Sequence, residues 1–147
     1  MDTVINVDEA PEEVHIEGQW GHAYKVLTPA TGPGRLGVNQ TRLPSGCAAV
    51  PFHWHTHEDE VFFVLSGRGV LRYGAEIREI RPGDCISCPA GTQVAHQICN
   101  PFDEDLVYLA IGPNHPHEIC GYPDSGKVLV RGIGVGRLTK TAYMDGE

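Results

Sequence analysis

Three histidines, His53, His55 and His57, alternate with other residues, and the acids Glu58, Asp59 and Glu60 follow at once. Side chains two apart on a strand project from one face, so the imidazoles point the same way while the strand lasts. A carboxylate that enters the next strand after a short turn reaches the same point. Imidazole nitrogens with a carboxylate oxygen suit a divalent first-row metal ion. Two ligand pairs are open. If the strand ends early, His53 and His55 act with Glu60. If it runs straight on, His55 and His57 form the pair, and only two residues then separate His57 from Glu60. That turn is tight for a returning carboxylate, so the first pair is favoured. Glu58 and Asp59 are expected to face solvent.

The elements that would hold these residues are short strands. The run Val61-Phe62-Phe63-Val64-Leu65 is apolar and stops at Ser66-Gly67. Residues 23–28, 36–43, 68–73, 76–80, 85–88, 94–99 and 106–111 read as further strands, and no convincing amphipathic helix lies between them. Pro29–Gly34, Tyr73-Gly74-Ala75, Arg81-Pro82-Gly83-Asp84 and Pro89-Ala90-Gly91 read as turns. Asp8–Glu13 is a solvated acidic stretch that could open a short helix with Pro11 in its first turn. Many short strands separated by glycine and proline turns argue for an all-β sandwich or barrel.

The pattern His53-x-His55, four residues, Glu60, six residues, Gly67 resembles the first motif of the cupin superfamily. Gly46 stands one residue further from His53 than that motif asks. Gly83 to Gly91, followed by His96 and Asn100, resembles the second motif, with four residues between Gly91 and His96 where two are usual. The resemblance implies a double-stranded β-helix, the cupin jelly-roll barrel. It also implies that His96 joins His53, His55 and Glu60 around one divalent ion (Zn, Fe, Mn, Ni or Co). An octahedral ion so held keeps two positions for water or substrate. Glu118 to Val128 and the ending Ala142 to Glu147 are similar to the tail of an uncharacterised group of small cupins, some labelled sugar-phosphate isomerases by analogy.

The chain of 147 residues reads as one domain: an arm over 1–22, a barrel over 23–113 and an extension over 114–147. In the arm, Trp20 is an apolar anchor that packs on the barrel or crosses to a second subunit, and a homodimer is expected. His15 and His22 are not expected as ligands. With 19 acidic against 11 basic residues the formal charge is −8, which argues against nucleic acid as a partner. No run has the length of a membrane helix, and the start lacks the basic and apolar regions of a signal peptide. The expected compartment is the cytoplasm. The five cysteines, Cys47, Cys85, Cys88, Cys99 and Cys120, are read as free core thiols.

Two function classes follow from the resemblance. In one, the metal serves an enzyme acting on a small organic acid or sugar derivative, as oxygenase, isomerase, decarboxylase or lyase. In the other, the same pocket binds a small molecule without turnover. An isomerase needs a base, for which His57 and Tyr73 are candidates. The interior should be apolar around Phe62. Arg42 or Arg72 could meet a ligand's negative charge, and Gln40 shares a face with Arg42. Strand parity leaves open whether that face points inward.

Overall fold

The computed structural model describes residues 4–28 and 34–147. The turn expected at 29–34 therefore lies, apart from Gly34, outside the described residues. No helix forms among them, and the chain folds into antiparallel sheets. One sheet has six strands: β1 (Glu13–Glu17), β2 (Trp20–Val26), β3 (Leu36–Leu43), β10 (Leu106–Pro113), β5 (Glu60–Ser66) and β8 (Cys85–Cys88), in that spatial order. A second places β6 (Gly69–Tyr73) between β7 (Glu76–Ile80) and β9 (His96–Cys99). The third runs β13 (Gly134–Gly136), β12 (Lys127–Val130), β11 (Ile119–Tyr122), β4 (Trp54–His55).

The core follows from alternation. On β5, Phe62 and Val64 are buried while Phe63 and Leu65 are exposed. Leu43, Leu71, Ile80, Ile86, Ile98 and Leu106 meet them from the other strands. Burying side chains of this size contributes about 1.5–3 kcal/mol each. Between β7 and β8 the chain reverses through Arg81–Asp84: the Asp84 amide donates to the Arg81 carbonyl at 3.0 Å, and Gly83 has φ +91°. That is the type II turn expected from proline followed by glycine. After β5, Gly67 has φ +75°, and a Cβ there would lie 2.1 Å from the Asp105 carbonyl oxygen. Only glycine fits both demands.

Two local readings change, and the extension gains a structure. Asp8–Glu13 forms no helix; the amides of Glu9 and Ala10 both donate to the Asn6 carbonyl in a turn. The N-terminal arm is a β1–β2 hairpin that extends the large sheet, and the outer edge of β1 has no partner among the described residues. Val14 and Ile16 on β1 and Trp20 on β2 are exposed. The extension is built of strands: β11, β12 and β13 form a meander that docks on β4 through Cys120 opposite His55 and Gly121 opposite Trp54. A Cβ at Gly121 would sit 2.2 Å from the Trp54 ring, so glycine lets the indole lie across the strand.

All five cysteines are unpaired, and Cys85 is exposed where a buried position was expected, because β8 turns Ile86 and Cys88 inward. Burial pushes the Cys88 thiol up to about 12. Thiol titration should therefore show Cys85 reacting first in the native protein and Cys88 among the slowest, with five thiols in denaturant. A denatured count of three or fewer would contradict this packing.

Candidate metal centre

Backbone pairing brings the histidines together. The His53 amide donates to the His96 carbonyl at 3.1 Å, and the His96 amide returns a bond to His53 at 2.8 Å. His55 follows two residues on, in β4, so its ring shares the face of His53. Glu60 opens β5 beside them. Its Oε2 lies 2.7 Å from His96 Nε2, 3.0 Å from His55 Nε2 and 3.8 Å from His53 Nε2. One ligand atom from each of the four residues falls within 4.8 Å of every other.

The far side of two rings sets their chemistry. His53 Nδ1 lies 2.8 Å from the Pro51 carbonyl. A carbonyl only accepts, so Nδ1 carries the proton and Nε2 the lone pair. His55 Nδ1 lies 3.4 Å from Cys120 Sγ, which again leaves Nε2 facing the cluster. His55 Nε2, His96 Nε2 and Glu60 Oε2 are buried without a hydrogen-bond partner. Their separations suit hydrogen bonds, but the atoms are not aligned for them. Buried polar atoms left unmatched are costly, and three aimed at a common centre fit a cation between them. The donor set, three imidazoles and a carboxylate, suits a divalent first-row ion.

Electrostatics reflect the crowding. Burial, with His96 and His55 close by, lowers His53 to about 4 despite Glu60. Burial also pulls His55 down, but Cys120 and Glu60 outweigh it and raise the ring to about 10. For Glu60, burial works upward and is overcome by His55 and His96, which hold the carboxyl far below its ordinary range.

A cavity of about 220 Å³ opens beside the cluster, lined among others by Phe62, His53, His96, Asn39, Thr41, His22 and Gln97. Phe62 stands where the sequence reading put it. Gln40 and Arg42 do not: Asn39 and Thr41 occupy the inward parity of β3. Arg42 lies outside, paired with Glu12 at 2.8 Å and Asp105 at 3.2 Å. Arg72 is also outside the cavity, bonded to Asp124 at 2.6 Å and stacked 3.6 Å over the Phe52 ring. His57 is exposed and stacks on His115 at 4.3 Å, away from the cluster. Tyr73 packs against the core and does not line the cavity.

Residues that the sequence reading missed support the cluster from the tail. Glu118 is fully buried; it accepts from the Thr56 amide at 2.7 Å and the His57 amide at 3.1 Å, and lies 3.6 Å from His55 Nδ1. Glu58 is buried, not solvated. It accepts from both terminal nitrogens of Arg131 and from the His115 amide at 2.6 Å. Arg131 thereby ties the tail to the turn between His55 and Glu60. The sole signal in the sequence was the likeness of 118–128 to a group of small cupins.

The family model described as Cupin domain matches residues 39–112, half of the chain. The chain belongs to the cupin family. Among solved structures it is similar to one from Acidithiobacillus ferrooxidans, provisionally described as a sugar phosphate isomerase. The two are 26% identical over 95% of this chain and 97% of that one, with a TM-score of 0.80. A cupin-superfamily sugar phosphate isomerase from Silicibacter pomeroyi also scores 0.80, at 26% identity over 92% of this chain and 96% of that one. An oxalate-binding protein of Thermotoga maritima is 33% identical over 70 residues, 48% of this cupin and 55% of the relative. The chain spans about half the length of the curated relatives it matches. No helix among its described residues is long and apolar enough to cross a membrane.

The Glu58–Arg131 pair yields a prediction. Arg131→Met leaves a buried carboxylate without its cation and should cost about 1–3 kcal/mol in urea unfolding, tempered by the partial exposure of Arg131. Adding Glu58→Gln should recover part of that loss. A single variant as stable as the parent protein would contradict the tie.

Proposed function

We propose that this cupin holds one divalent first-row metal ion through His53, His55, Glu60 and His96, and uses it on a small organic acid or sugar derivative that binds through oxygen. The observation that carries the reading is the convergence of three buried, unmatched polar atoms on one point. The relatives described as sugar phosphate isomerase and oxalate-binding protein lend support, since such molecules present adjacent oxygens to a metal. A bound divalent ion supplies Lewis-acid polarisation of a ligated oxygen and lowers the pKa of bound water.

The chain's own residues do the rest. Pro51 and Cys120 fix the rings of His53 and His55 from behind, as partners of metal-binding histidines commonly do. Phe62 and Ala110 make one wall of the cavity apolar and restrict water. Gln97 is held by its carboxamide nitrogen on the Val50 carbonyl at 2.9 Å. His22 is the titratable group best placed to move a proton. Its Nδ1 lies 3.1 Å from the Ala49 carbonyl, so Nε2 keeps a lone pair at the cavity. In this reading the base is His22, which lines the cavity where His57 and Tyr73 do not.

Elemental analysis tests the ligand set. His53→Ala and His96→Ala should each lose most of the metal, while His57→Ala keeps it; full loading of the first two would refute the assignment. Calorimetry with small hydroxy acids and sugar acids on metal-loaded and chelated protein tests the ligand's place. Binding should vanish on chelation, and equal affinity in both forms would move the ligand elsewhere. Product formation by the loaded protein, lost in His22→Gln, marks an enzyme. Binding without turnover marks a carrier or sensor.

A further inference from the structure

The inner cavity is not the end of the surface that carries it. Strand pairing places Phe62 opposite Ala110, Ala110 opposite Asn39, and Tyr108 opposite Thr41. Thr41 in turn pairs with Tyr24, and His22, two residues along from Tyr24, pairs with His15 on β1. One face of the six-stranded sheet thus runs unbroken from beside Glu60 out onto the N-terminal hairpin. There it forms a larger groove of about 840 Å³, and His22, Ala49 and Val50 line both spaces. From β3 to β1 is two strand spacings, roughly 10 Å.

The two spaces differ in chemistry. The inner cavity has no lysine or arginine in its lining, and residues 1–3 and 29–33 contain none. Beyond a metal ion, nothing there offers a permanent positive charge to a phosphate or to a second carboxylate. The outer groove brings together the rings of Trp20, Phe52 and Tyr122, with His15 and His22 toward the cavity and Glu17, Asp124 and Lys127 among its charged residues. Arg72 covers one face of Phe52, which leaves Trp20 as the open ring. Trp20 is 41% exposed, so its indole is open to a flat partner. Aromatic rings gain about 0.5–1.5 kcal/mol from such contacts beyond the burial of area.

Resting on the metal site proposed above, we infer that the ligand is a monoanionic acid with two adjacent oxygen donors and an aromatic ring. Its acid end enters the inner cavity and its ring lies on the groove against Trp20. A 2-hydroxy acid with an aryl group at carbon 3 has this shape. The charge fits a cavity without lysine or arginine, and the ring fits the groove that shares His22, Ala49 and Val50 with it.

The test uses lactate, 3-phenyllactate and indole-3-lactate in calorimetry against the 147-residue chain loaded with Co²⁺. The aryl acids should bind at least about tenfold more tightly than lactate, as one buried ring warrants. Trp20→Ala, at an exposed site, should bring phenyllactate to within about threefold of lactate by removing one wall of the groove. Equal affinity for the three acids overturns the inference, and so does an aryl preference that survives Trp20→Ala. Metal content measured on the same samples separates the two layers of the argument. Protein that takes up no cobalt overturns the metal site itself. Cobalt-loaded protein that shows no aryl preference overturns this inference alone.

Discussion

The structure turns on one carboxylate oxygen, Glu60 Oε2, buried at the end of a half-buried side chain. Glu60 enters the barrel with its Oε2 within 3.0 Å of two imidazole nitrogens and aligned with neither. Removing a carboxylate from water costs several kcal/mol unless a charge meets it, and burying the ring nitrogens unmatched adds to that cost. The fold tolerates the cluster because the surrounding backbone fixes it. The paired amides of His53 and His96 set two rings, β4 sets the third, and the tie from Arg131 to Glu58 holds the turn that delivers Glu60. A cation at the centre would resolve all the unmatched atoms at once.

The tail is therefore part of the site. β11 lies against β4, and two of its side chains stand behind His55: Cys120 touches the ring, and Glu118 gathers the amides of Thr56 and His57. Such partners orient a histidine and fix which nitrogen faces the metal. At the other end of the sheet, the N-terminal hairpin extends the inner face outward. The barrel supplies the four residues of the cluster, the tail packs behind one of them, and the hairpin lengthens the sheet beside them.

Much of this was legible in the sequence, for reasons that can be named. His53, His55, Glu60 and Gly67 lie within one hairpin, so spacing alone carries their geometry, and Gly67 marks a turn that only glycine can make. His96 needed the second motif. The inward face of β3 was not legible: Asn39 and Thr41 on one face and Gln40 and Arg42 on the other are all polar, and only pairing with β2 and β10 decides between them. Glu58 read as a solvated acid because its partner, Arg131, lies 73 residues away. Glu118 and Cys120 were hidden in the same way, by contacts that join distant parts of the chain.

X-ray absorption at the cobalt edge of the Co²⁺-loaded protein tests the centre most directly. A first shell of nitrogen and oxygen alone is expected at about 2.0–2.2 Å, with outer-shell scattering from three imidazole rings. A sulfur scatterer near ~2.3 Å would mean that Cys120 binds the metal instead of standing behind His55. That result, or a shell without imidazole, would contradict the account.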